Sequence, residues 1–128
     1  MPSVTPIYAA LLALVFAVLS LRVILARRRL RVGFGDAGDA VLQRRIRVHA
    51  NFSEHVPLVI LLMMLAELRG ASPLALHTIG IVLLLGRLIH AIGLSTVDRD
   101  ELGRIGGMAG THGALLGSIG LIAVSYLK

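Results

Sequence analysis

Residues 6–26 read PIYAALLALVFAVLSLRVILA, and this run decides the fold class. It is apolar on every face, and about 20 such residues suffice for a helix to cross a bilayer. Its only charge is Arg22, near enough to the end for the guanidinium to snorkel to the interface. Arg27, Arg28, Arg29 and Arg31 follow it. A cleavable signal peptide carries its positive charges before the apolar run, so the reversed order here reads as a retained anchor.

The rest of the chain agrees. Of 128 residues, 56 % are hydrophobic and 16 % charged. A soluble domain of this length has too much surface for its volume to hide so much apolar material. The length allows one domain, residues 1–128. Without cysteine there is no disulfide framework, thiolate metal site or cysteine nucleophile. Thirteen Lys+Arg against seven Asp+Glu give a net charge of +6. Aromatic residues are only 4 % and the basic residues flank apolar runs, so the expected partners are membrane lipids or an anionic ligand, and no nucleic acid.

Three more helices follow. GFGDAGD (Gly33 to Asp39) is a loop, with Asp39 placed to cap a second helix over 40–68. That helix is polar in its first half and apolar in its second, PLVILLMMLAEL. Ser72 and Pro73 open a third helix, 73–94, as N-cap and first helical residue. After the charged segment STVDRDELG comes a fourth, 104–127; the first is taken as 6–27. The expected fold is therefore all-α and integral to the membrane, a four-transmembrane-helix bundle. Arginine is concentrated in the first loop and the start of the second helix, and recurs in the third loop at Arg99 and Arg104. The positive-inside rule then puts loops one and three in the cytoplasm and both termini outside, which is the periplasm in a bacterial inner membrane.

Arg44, Arg47, Asn51, Glu54 and His55 project within about 100° of one another on the second helix. Ionisable groups cost about 2.5–3.5 kcal/mol each at the centre of a membrane helix, so they pair or face a functional cavity. One reading is an ion pair, Glu54 with Arg47 or Arg87, that staples the bundle. The other is a site for a zwitterionic ligand, whose opposite charges a stripe of cations, amide, carboxylate and imidazole would match. Pro57 removes a backbone donor in the same helix and bends it, which would widen the space beside Glu54. His49 projects roughly opposite to Arg47 and Asn51. It would either make a structural contact or enter a neighbouring subunit's site.

On the third helix Arg87 and His90 share a face. The five histidines include no pair at the i,i+4 spacing of a helical zinc motif, so no metal is expected. RIGGMAGTHGALLGSIG in the fourth helix lacks the preceding strand and the lysine of a phosphate loop. Gly103, Gly106, Gly110, Gly113, Gly117 and Gly120 instead form a smooth stripe for close helix packing. His112, beside that stripe, reads as structural. Arg104 reads from composition as an ordinary positive-inside anchor.

RVHANFSEHVP (Arg47 to Pro57) resembles the second-helix signature of the MAPEG superfamily, the membrane-associated proteins in eicosanoid and glutathione metabolism. The matching residues are Arg47, Asn51, Glu54 and Pro57. ARRRLRV after the first helix, GRLIHAIGL closing the third and the Arg-x-Gly opening the fourth extend the resemblance over nearly the whole chain, closest to the short bacterial branch. The resemblance implies a homotrimer binding glutathione between neighbouring subunits near the cytoplasmic side. It assigns glutathione contacts to Arg47, Asn51 and Glu54, and to His55 where some members have tyrosine. From the adjacent subunit it implies His49 with Arg27 or Arg28. His90 and Leu94 fall where the family has ligand-binding tyrosines, and Leu94 cannot hydrogen-bond. Arg104 matches the catalytic arginine that stabilises the thiolate, with Arg99 as the alternative.

The resemblance thus implies a transferase or peroxidase in which a glutathione thiolate attacks a hydrophobic second substrate arriving from the bilayer. A thiol with a pKa of about 8.5 is only a few per cent ionised at neutral pH. Lowering it by about two units needs about 2.7 kcal/mol. One cation about 4 Å away at an effective dielectric of about 20 supplies about 4 kcal/mol. A non-catalytic lipid- or ligand-binding member of the same family is the alternative. A small multidrug exporter would need a glutamate in the first helix, which has no acidic residue.

Overall fold

The computed structural model describes the backbone of residues 1–96 and 101–127, and side-chain surroundings at 1–93, 103 and 105–127. Four helices run in chain order: α1 (Thr5–Leu30), α2 (Ala40–Leu68), α3 (Pro73–Thr96) and α4 (Glu101–Tyr126). There is no strand among the described residues. The ends of α2 are as expected, α1 and α3 run slightly further, and α4 starts three residues before Arg104. All four contain a segment long and apolar enough to cross a membrane.

The local signals act as the sequence predicts. The Asp39 carboxylate accepts from the Leu42 amide at 2.6 Å and so caps α2. The Ser72 hydroxyl accepts from the Ala75 amide at 3.2 Å at the start of α3. Between α2 and α3 the chain turns through Gly70, whose φ of +82° suits a residue without a Cβ.

In the bundle, α1 packs on α2 and α3, and α4 packs on the same two helices, most extensively on α3. Helices α2 and α3 therefore form the shared diagonal, and α1 and α4 occupy opposite corners. The core along that diagonal includes Leu12, Phe52, Val56, Val59, Met63, Leu76 and Leu83. Only 17 % of the apolar window of α1 is buried inside the bundle. Leu11, Leu14, Val18, Leu21, Ile24 and Leu25 point outward, as they must where the surrounding solvent is hydrocarbon.

Two charges at the end of α2, two residues apart, tie it to α1 and α4. The first amides of α1 have no partner inside their own helix. Glu67 supplies one from across the bundle, accepting from the amides of Ser3, of Val4 at 2.7 Å and of Thr5 at 2.8 Å. Arg69 reaches the opposite kind of terminus. Its Nε donates to the Ser125 hydroxyl at 2.7 Å, its Nη2 to the Ser125 carbonyl at 3.1 Å, and its guanidinium stacks on the Tyr126 ring at 3.9 Å. A carboxylate at a helix start and a cation at a helix end both match the helix dipole. Glu67→Ala should therefore lower stability by about 1 kcal/mol, the ordinary worth of a cap. Thermal unfolding in detergent reads this directly, and an unchanged midpoint would show that the clasp contributes nothing.

Candidate functional site

The polar stripe of α2 begins on the arginine-rich end of the bundle and runs toward its middle. Arg47 and Glu54 are exposed on it, while Arg44, Asn51 and His55 are half-buried. Glu54 pairs with neither Arg47 nor Arg87, so the stapling reading has no support in the geometry. Arg87 turns instead to the amide of the same stripe. Its Nη1 donates to Asn51 Oδ1 at 2.7 Å, and its Nη2 donates to the Gly107 carbonyl at 3.3 Å, with Met108 Sδ at 3.6 Å. Arg87 is 1 % exposed and its Nε has no partner.

This contact fixes the chemistry that Asn51 can offer. Guanidinium has donors and no acceptor, so it holds the amide by its oxygen. The Asn51 NH2 is left as the face available to a ligand, and it calls for an acceptor. Arg47 on one side favours an anion, and Glu54, one turn further along, favours an ammonium or another donor. One surface thus presents complements to both signs of charge.

His55 and His112 meet in the groove between α2 and α4, with ring centroids 5.6 Å apart and planes at 60°. Each Nδ1 bonds a carbonyl four residues back in its own helix, Asn51 for His55 at 2.9 Å and Met108 for His112 at 3.0 Å. A carbonyl only accepts, so both rings carry the proton on Nδ1 and keep Nε2 as an acceptor when neutral. His112 is thus placed beside the stripe, which its position among glycines gave no means of seeing.

His49 lies on the opposite side, stacked on Phe16 of α1 with centroids 4.8 Å apart, and its buried Nε2 has no partner. His90 is buried against Gly107 at the α3–α4 contact. Arg27 donates to the Gly33 carbonyl at 3.1 Å and is engaged with its own loop, whereas Arg28 is exposed. Arg104 is in the first turns of α4, its side chain outside the described residues, as are Leu94's side chain and the whole of Arg99. Pro57 borders an apolar groove of about 260 Å³ between α1 and α2, lined by Ala13, Phe16, Phe52 and Val56 among others. The space beside the proline therefore faces α1, and Glu54 does not line it.

The glycine stripe needs a correction. Gly107, Gly110 and Gly117 make the close approaches to α3, whereas Gly106, Gly113 and Gly120 meet no other helix among the described residues. Gly107, absent from the predicted stripe, is the tightest of the three. A helical projection places residues on one arc and says nothing of which edge meets the neighbour.

Four apolar helices, and a charged stripe that enters the bundle from its arginine-rich end, define a small polytopic membrane protein with a polar site at one side. The chain belongs to the MAPEG family, whose profile matches residues 5–124. It is 42 % identical over 113 residues to inner membrane protein YecN of Escherichia coli K12, an alignment covering 88 % of this chain and 85 % of that protein. The YecN protein of Escherichia coli O6:H1 (strain CFT073) matches to the same extent.

Proposed function

We propose that this chain is a bacterial inner-membrane glutathione-binding protein that acts as a homotrimeric glutathione transferase or peroxidase. The observation that carries the reading is Arg47 and Glu54, unpaired among the described residues, on either side of an Asn51 whose oxygen is held by Arg87. Glutathione carries two carboxylates and one ammonium, and it needs both signs of complement close together. The inner-membrane location draws on the similarity to inner membrane protein YecN and on the four apolar helices. In this reading the termini are periplasmic and the arginine-rich loop cytoplasmic, following the charge bias.

Arg47, Asn51, Glu54 and His55 of one subunit hold the tripeptide, with His90 behind them. His49 and Arg27 or Arg28 of the neighbour complete the site. Arg104, or Arg99 in its place, stabilises the thiolate. In conjugation the sulfur pair forms a bond to an electrophilic carbon and the leaving group departs with its own pair. In peroxide reduction two glutathiones are oxidised to the disulfide while the hydroperoxide becomes an alcohol and water. No metal takes part. Leu94, which cannot hydrogen-bond where the family resemblance places a tyrosine, favours a second reading, a non-catalytic ligand-binding member of the family.

Glutathione thiolate absorbance in the ultraviolet, measured on the detergent-purified protein, separates the two. A transferase or peroxidase shows the thiolate band near neutral pH, and Arg104→Ala abolishes it while binding persists. If Arg99→Ala alone abolishes it, the activating arginine is Arg99. Binding without a band in the wild type supports the non-catalytic reading, and no binding overturns the glutathione assignment.

A further inference from the structure

A second groove lies on the other side of α1, against α3, and none of the described thiol-site residues lines it. Leu14, Val15, Val18, Leu19 and Arg22 of α1 face Leu88, Ala91 and Ile92 of α3 across a volume of about 290 Å³. Apart from Arg22, every described lining residue is aliphatic. From Leu14 to Arg22 the groove runs about 12 Å along the helix, at about 1.5 Å per residue. Arg22 closes the end nearer the arginine-rich loop, about 7 Å deeper in the bilayer than Arg27 by the same rise.

Arg22 also lines a smaller cleft with Leu19, Arg45 and Val48. Arg45 leans across from α2, its Nη1 donating to the carbonyl of Arg22 at 3.4 Å. Two half-buried arginines thus meet at a cleft beside the head of the apolar channel, and among the described residues no carboxylate lines either space. Like charges held together at the edge of a low-dielectric region repel, and an anion between them relieves that repulsion. The occupant that matches is an amphiphile with a compact anion at one end and an aliphatic chain behind it.

We propose that this groove binds an anionic phospholipid, its phosphate on Arg22 at the mouth of the cleft that Arg45 borders and one acyl chain lying along α1 toward Leu14. The lipid belongs to the leaflet that holds the arginine-rich loop. The inference does not rest on the thiol reading, and its test contains no thiol.

Native mass spectrometry of the purified full chain, titrated with phosphatidylglycerol or phosphatidylcholine, reads the bound lipid directly. The expected result is saturable phosphatidylglycerol binding that excess inorganic phosphate does not displace, and phosphatidylcholine binding at least fivefold weaker. Arg22→Gln should weaken phosphatidylglycerol about fivefold, the worth of one arginine near an anionic surface, and Arg22→Lys should retain most of it. Val18→Trp, at an exposed position on the rim, should fill the channel and weaken binding with both arginines intact. Thermal unfolding verifies that each variant is folded. Equal binding of the two lipids, displacement by phosphate alone, or indifference to both Arg22→Gln and Val18→Trp would overturn the proposal. So would a changed subunit count in Val18→Trp, which would mean that a second copy of the chain covers the groove.

Discussion

Arg87→Leu should weaken the proposed glutathione binding by tenfold or more while leaving a folded protein. The guanidinium is buried, and its strongest contact is the 2.7 Å bond to Asn51 Oδ1. Hydrogen bonds to charged groups are worth about 1.5–3 kcal/mol. Leucine removes that bond but also removes the desolvation cost of a buried cation, so the net change in stability is smaller than the contact alone would give. Gly107 keeps a partner, because its carbonyl also accepts from the Thr111 hydroxyl at 2.9 Å. What has no substitute is the orientation of the Asn51 amide. Once released, the amide can rotate and offer its oxygen to a ligand that requires a donor. Arg87→Lys should not restore binding, since a point charge does not reproduce the planar fork that spans Asn51 and Gly107. Calorimetric titration of Arg87→Leu, Asn51→Leu and the double variant checks the argument. If Arg87 acts through Asn51, the double variant is no worse than either single one, a coupling of about 0.5–3 kcal/mol. Fully additive losses would show instead that Arg87 acts on the ligand separately.

What could be read in advance divides by distance along the chain. Asp39 and Ser72 each bond an amide three residues ahead, so the residue type and its place before an apolar run are enough to find them. The spans were legible for a similar reason, since length and unbroken hydropathy are local properties. Glu67 gave no such signal. Its partners lie 62 to 64 residues earlier in the chain, and a glutamate in the last turn of an apolar helix looks like an interfacial charge. The site shows the same division. Periodicity brought Arg47, Asn51, Glu54 and His55 onto one face, because that arrangement follows from one helix alone. It left open whether Glu54 had an arginine partner, because the answer depends on how α3 is rotated against α2. The rotation directs Arg87 to Asn51 and away from Glu54. Likewise, Phe16 meets His49 only because α1 packs against that side of α2.

The rotation of α4 against α3 is what Gly107→Ala tests. A Cβ at Gly107 would lie 2.5 Å from His90 Cβ, 2.7 Å from the Gly86 carbonyl oxygen and 2.8 Å from His90 Cα. Two of those three atoms are backbone and cannot step aside, so the helices must separate. Overpacking of this kind costs about 1–3 kcal/mol, against which alanine's better helix propensity returns at most about 1 kcal/mol. The unfolding midpoint in detergent should fall, and the Arg87 contact to the Gly107 carbonyl should loosen with it. Gly106→Ala and Gly113→Ala make the opposite prediction. Among the described residues neither position has another helix within 4 Å of the added methyl, so both variants should be neutral or slightly more stable. If Gly106→Ala is as damaging as Gly107→Ala, the α3–α4 register described here is wrong. Replacing the outward glycines with leucine asks a different question. If unfolding is unchanged but the subunit count falls, then the outer face of α4 is where copies of the chain meet. Close backbone approach by small residues would then serve both within the subunit and between subunits, on adjacent edges of one helix.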